Sequence, residues 1–115
     1  MKPHRALAAL ILTLPLLALE ANAASYEDKL LDAIQRHENS ARYPYGVRDG
    51  RMHTSAQARE IARQTIRNAW LDYLLTPTRE DFVDFLGDIY CPKKSDPAGN
   101  RNWKRDVKRI LKQNP

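Results

Sequence analysis

Between Thr54 and Thr76 the residues Ala58, Ile61, Ala62, Thr65, Ile66, Ala69, Trp70, Tyr73 and Leu74 return at three- and four-residue steps. That spacing lays one small-and-apolar stripe along roughly five turns of helix. A helix with one apolar stripe must be covered by other elements, and the rest of the chain offers only more helices. No segment alternates with period two, and β-branched residues are sparse. Pro44 with Gly46, Thr76-Pro77 and Pro92 cut the helical pattern into pieces. The expected fold is all-α, with about four helices packed on one another and no internal repeat.

The local signals give each helix its bounds. Ser25-Tyr26-Glu27-Asp28 sets a hydroxyl before a carboxylate at capping-box spacing, and Tyr26, Leu30, Ala33, Ile34 and His37 follow as a stripe. This first helix should end near 38–40, ahead of Pro44 and Gly46. Arg48-Asp49-Gly50-Arg51 reads as a polar turn. Thr54 and Gln57 form the capping box of the long central helix. Thr78-Arg79-Glu80-Asp81 opens a third helix whose apolar face is Phe82, Phe85, Leu86 and Ile89. Residues 93–100 read as a polar loop, and Asn102 as the cap of a last helix. In that helix Trp103, Val107, Ile110 and Leu111 turn inward, and Lys104, Arg105, Lys108, Arg109 and Lys112 fill the other faces.

The N-terminus bears on compartment. Lys2, His4 and Arg5 precede a mostly apolar run over 6–19, and Ala21-Asn22-Ala23 supplies small residues where a signal peptidase reads. We expect a signal peptide over 1–23 and a single helical domain over 24–115, exported to the periplasm or secreted by a bacterium. An uncleaved N-terminal anchor is the competing reading. The run is short of the ~20 residues a membrane span needs, so no integral span is expected after cleavage. Cys91 is the only cysteine, which excludes a disulfide framework. The formal net charge is +5, and losing Lys2, Arg5 and Glu20 with the signal lowers it by one. That modest excess fits an anionic partner such as cell wall or membrane surface, and nucleic acid is not expected outside the cytoplasm.

Glu38 is the first candidate for chemistry. It stands where a helix must end, and the negative end of the helix dipole disfavours its ionisation. Burial against Tyr43 or Tyr45 would work the same way, toward the range of a general acid. An exposed glutamate at a helix end is the plainer alternative. The histidines and the single cysteine are scattered without metal-ligand spacing, so no metal or cofactor is expected. His37 on the apolar stripe reads as packed, and Cys91 as a small buried hydrophobe rather than a nucleophile. Trp103 beside Arg101 and Lys104 is either a core anchor or an aromatic free to stack on a partner.

The segment Ala33-Ile34-Gln35-Arg36-His37-Glu38-Asn39-Ser40, followed by Tyr43-Pro44-Tyr45-Gly46-Val47, resembles the first motif of lysozyme-like lytic transglycosylases. Further likeness to small exported or phage-associated members lies in Ala58-Arg59, Thr65-Ile66-Arg67-Asn68, Asp81-Phe82, Phe85-Leu86-Gly87, Tyr90-Cys91-Pro92 and Asn100-Arg101-Asn102-Trp103. The likeness spans about residues 30–111. It implies a small lysozyme-like helical domain, probing peptidoglycan glycan strands as a monomer without a cofactor. It implies that Glu38 acts as acid and then base at the MurNAc–GlcNAc bond, that Ser40 orients it, and that Tyr43 and Tyr45 line sugar subsites. Asn68 would contact substrate, and Tyr90 or Tyr73 would hydrogen-bond the glutamate. Two segments usual in that superfamily, of the "GLMQ" and "AYNAG" types, have no counterpart here, and Asn68-Ala69 echoes the second only faintly. The alternative is an exported module that binds peptidoglycan, or another partner, without cleaving it.

Overall fold

Thr54 opens the longest helix by closing its capping box: its hydroxyl accepts from the Gln57 N–H at 3.1 Å, and the Gln57 side chain accepts from the Thr54 N–H at 3.0 Å. The computed structural model describes residues 26–40 and 42–113. Among them it has four α-helices, one 3₁₀ turn and no strand. Helix α1 covers 26–38. The 3₁₀ turn is Pro44–Gly46, α2 is Ser55–Leu75, α3 is Phe82–Tyr90 and α4 is Pro97–Gln113. The expected signal segment and the Ser25 cap lie outside the described residues.

The core gathers one stripe from each helix. Leu30, Leu31, Ala33 and Ile34 come from α1, and Ala58, Ala62, Ile66 and Ala69 from α2. Phe82, Val83 and Leu86 come from α3, and Trp103, Val107 and Ile110 from α4. Three of the four buried residues of α2 are alanines, which keep its neighbours at close range. On α3, a Cβ at Gly87 would lie 2.8 Å from Lys104 Cγ and 3.0 Å from Trp103 Cε3, so glycine there lets α3 settle against α4.

Charge fastens α1 to α2. Arg59 reaches Asp28 and Asp32, Arg63 reaches Glu27, Asp28 and Glu60, and Arg67 reaches Glu27. Burial alone would raise the Glu27 carboxyl, but hydrogen bonds from Arg67 and Arg63 outweigh it and hold the group below its ordinary range.

Three expectations need correction. Helix α3 is capped by Asp81, which accepts from the Asp84 N–H at 2.9 Å, while Thr78 only closes a local turn onto the Glu80 N–H. Helix α4 begins at Pro97 rather than near Asn102. Asp96 accepts from the Gly99 N–H at 2.9 Å, and proline suits the first helical position, where no N–H bond is needed. Asn102 is a surface residue that accepts from Arg105. Finally, the apolar stripe of α2 is covered only along its first half and middle: Trp70, Leu71, Leu74 and Leu75 are exposed.

Candidate active site

Helix α1 stops directly after Glu38. Asn39 takes a left-handed backbone (φ 35°), and its N–H donates to the Gln35 carbonyl at 2.9 Å. Ser40 then shapes the descent, its hydroxyl accepting from the Tyr43 N–H at 3.1 Å. In the 3₁₀ turn, Tyr45 (φ 56°) and Gly46 (φ 71°) are successive left-handed residues that fold the chain back onto the end of α1. A Cβ on Gly46 would sit 2.8 Å from Glu38 Cδ and 3.0 Å from Oε1. The backbone of the turn therefore packs directly on the carboxylate, and glycine is required there twice over, for space and for its backbone angle.

Helix α4 supplies the other side. The Trp103 indole N–H donates to Glu38 Oε1 at 3.3 Å, a contact spanning 65 residues of sequence. It is the one hydrogen bond to this carboxylate among the described residues. No cation among them lies within ion-pair distance of Glu38. Trp103 is itself held from both sides: Tyr90 stacks on it with centroids 5.3 Å apart, and His37 meets it edge-on at 6.2 Å. His37 is fixed in turn by Asp106, at 2.7 Å from its Nδ1. That hydrogen bond, with the Arg109 guanidinium, holds the Asp106 carboxyl below its usual range.

Tyr90 lies near enough to feel Glu38. Burial first, and then the negative charge of Glu38, push its phenol well above the ordinary tyrosine value. The Cys91 thiol is raised by burial, then by Asp96 and Glu38, so it is no activated nucleophile.

In front of Gly46 and Tyr90 lies a groove of about 290 Å³, walled by Val47 and Arg48 from the turn, Ile61 and Thr65 from α2, and Ile89 from α3. Asp49 also lines it, but its carboxylate is engaged by the His53 ring at 2.8 and 2.9 Å and by the Arg51 N–H at 3.1 Å. The His53 hydrogen bond lowers its pKa first of all, so Asp49 offers a fixed negative charge.

The six residues singled out in the sequence take different places. Glu38 and Tyr90 both meet Trp103, but Tyr90 stacks on the indole and makes no hydrogen bond to Glu38. Tyr43 does not line the groove; its ring is flanked by the guanidinium groups of Arg48 at 4.7 Å and Arg42 at 5.3 Å. Asn68 is exposed on α2 one turn beyond Thr65 and does not line the groove. Ser40 spends its hydroxyl on the turn and makes no bond to Glu38. Tyr45 is 3% exposed, and its hydroxyl accepts from Arg59 at 3.0 Å, so its left-handed backbone delivers the ring to the core instead of the groove. Tyr73 points elsewhere too, donating to the Glu80 carbonyl at 2.8 Å.

Sequence reasoning missed the parts that bridge distant segments. Trp103 is the core anchor that the sequence offers as one reading, 2% exposed, and what the sequence does not show is that it also donates to Glu38. Asn100, inside the stretch read as loop, is buried and donates to the Cys91 carbonyl at 2.7 Å and to Asp88 at 2.9 Å. It staples the end of α3 to the start of α4 and so fixes Tyr90 against Trp103. A polar residue one turn into a helix opened by Asp-Pro was the only available hint.

The arrangement leaves Glu38 without an ion pair among the described residues, backed by an indole and a glycine turn; Gly46 and Tyr90 line the neighbouring groove, and Glu38 itself does not. Comparison with protein-family models, with curated proteins and with solved structures finds no match to this chain.

Proposed function

We propose that this chain is an exported enzyme that cleaves peptidoglycan glycan strands at the MurNAc–GlcNAc bond, in the manner of a lytic transglycosylase, with Glu38 as its acid and base. The observation that carries the reading is the contrast around Glu38. Every other glutamate among the described residues lies within ion-pair distance of a lysine or arginine, whereas this one meets only an indole N–H and a glycine turn, with the neutral Tyr90 phenol nearby. With Oε1 held by Trp103, Oε2 makes no hydrogen bond among the described residues and is the oxygen assigned to the substrate in this reading.

In the proposed reaction, protonated Glu38 gives its proton to the bridging glycosidic oxygen as the C1–O bond breaks and the ring gains oxocarbenium character. The resulting carboxylate then takes the proton of the muramic acid C6 hydroxyl while that oxygen bonds to C1. The 1,6-anhydro ring closes, and Glu38 regains its proton. No second carboxylate is needed as a nucleophile. Asp49, already engaged by His53 and Arg51, would act only through its charge.

The test is product chemistry. Protein and its Glu38→Gln variant are incubated with purified peptidoglycan, and the soluble muropeptides are read by mass spectrometry. The expected result is 1,6-anhydro products whose rate of formation falls ~10²–10⁴-fold in the variant, the usual range for a lost general acid–base group. Two inert proteins that both sediment with peptidoglycan would replace the enzyme with a glycan-binding module. Reducing-end products lost in Asp49→Asn as well as in Glu38→Gln would replace the transglycosylase with a two-carboxylate hydrolase.

A further inference from the structure

Two surfaces that the Glu38 groove does not use meet at Asp81. The first is a mostly apolar groove of about 410 Å³ lined by Tyr26, Ile66, Trp70, Leu71 and Phe82, with the Glu27–Arg67 ion pair on its wall. Leu74 (62% exposed) and Leu75 (84% exposed) continue it along the end of α2. Trp70 is held rigidly, edge-on to Phe82 at 5.0 Å, yet is 44% exposed. Apolar exposure of this kind, contiguous and rimmed by charge, marks a surface that something covers.

The second surface is cationic. Arg101, Arg105, Lys108, Arg109 and Lys112 follow one another on α4 at steps that keep them on one face, opposite buried Trp103, Val107 and Ile110. The stripe runs about 16 Å at the α-helical rise. Lys108 is shared with Asp81 and Asp84, and Arg109 with Asp106. Arg101, Arg105 and Lys112 make no ion pair among the described residues. Lys108 reaches Asp81 at 2.8 Å, and Asp81 adjoins Phe82 in sequence and bears on the Tyr26 phenol, so stripe and groove are neighbours.

We propose that the aromatic–leucine edge of α2 and the cationic stripe of α4 form one docking face for an anionic lipid bilayer. Trp70 and Tyr26, with apolar rings and polar tips, suit the headgroup boundary, and the leucines go deeper. The α4 cations meet the lipid phosphates.

Other occupants leave half of the surface unexplained. A soluble polyanion uses the cations but not the leucines, and Trp103, the tryptophan nearest the stripe, is 2% exposed and cannot stack on bases. A second copy uses the leucines but brings like-charged stripes along with them. The inference is independent of the reading of Glu38.

The experiment mixes the full chain with vesicles of phosphatidylcholine alone, or with one-third phosphatidylglycerol, and follows flotation and tryptophan emission. Binding should be at least ~10-fold tighter on the anionic vesicles and weaken as salt screens the cations. Emission should shift to the blue, reporting Trp70, because Trp103 is already buried. Replacing Arg101, Arg105 and Lys112 together by glutamate should abolish the preference for anionic lipid. Leu74→Ser with Leu75→Ser should weaken binding to both vesicles several-fold. All five sites lie outside the core, and circular dichroism verifies that the variants fold. The proposal is overturned if neither set of substitutions changes binding, since the N-terminal run alone then holds the membrane. It is equally overturned by an unshifted emission on binding to vesicles, or by a concentration-dependent dimer that the leucine substitutions dissolve.

Discussion

Helix α1 carries a glutamate near each end, and the protein treats them in opposite ways. Glu27, in the first turn, is held by Arg63 and by Arg67 at 3.0 Å, and its proton affinity is lowered. Among the described residues Glu38, at the last turn, has no cation within ion-pair distance and accepts a single hydrogen bond of 3.3 Å from a neutral indole. One carboxylate is used to hold two helices together, and the other is kept in hand behind a glycine turn. Within one helix, the partners of a charge tell more about its role than its residue type does.

The widest separation between them should be seen in activity. Glu38→Gln keeps the shape and the indole contact but cannot exchange a proton, so glycan cleavage should drop ~10²–10⁴-fold. Thermal melting should show a stability change within about 1 kcal/mol, as for an unpaired polar side chain. A variant that melted early would make Glu38 a second structural glutamate and erase the contrast.

Gly46→Ala attacks the setting rather than the carboxylate. The added methyl would lie 2.8 Å from Glu38 Cδ, on a backbone at φ 71°. The left-handed backbone alone costs an L-residue roughly 1–2 kcal/mol, and the contact adds to it. The expected outcome is about 2–3 kcal/mol lost in denaturant unfolding, together with impaired cleavage. Glu27→Gln is the counterpart at the other end. It should cost about 1–2 kcal/mol through lost charge-assisted hydrogen bonds and leave cleavage untouched, read from melting and muropeptide release on the same sample.

These comparisons show which features the sequence could carry. Helices were legible because Leu30, Ala33, Ile34 and Ala58, Ala62, Ile66, Ala69 repeat at helical spacing, and Glu38 because Pro44 and Gly46 forbid the helix to continue. The start of α4 was not, since Asp96-Pro97 looks like a break and is a cap with its first helical residue. Trp70 and Leu74 read as core because periodicity identifies a stripe without saying whether anything lies over it. Tyr45 read as groove because a turn tyrosine gives no sign of a positive φ that swings it inward. Trp103 as partner of Glu38 was beyond local reasoning: 65 residues separate them, and only the packing of α4 against the end of α1 joins them.

The smallest expected effect concerns the aromatic neighbour that feels Glu38. The Tyr90 phenol is pushed above its ordinary value, by burial and then by Glu38. An unfolded tyrosine ionises near pH ~10. Above that pH the unfolded chain has released the proton while the folded chain still holds it, so the unfolded state binds fewer protons and stability falls with rising pH. The contribution of the neutral phenol is therefore complete below about pH 10 and is lost above it, at up to about 1.4 kcal/mol per pH unit. Tyr90→Phe has nothing to ionise at that position, so its denaturation midpoints should fall less steeply than those of the natural chain across this range. Glu38→Gln should move the phenol absorbance titration to lower pH by removing the nearby charge. Equal slopes and an unmoved titration would put Tyr90 in open solvent, away from Glu38, and leave the carboxylate without the aromatic floor that sets it apart from Glu27.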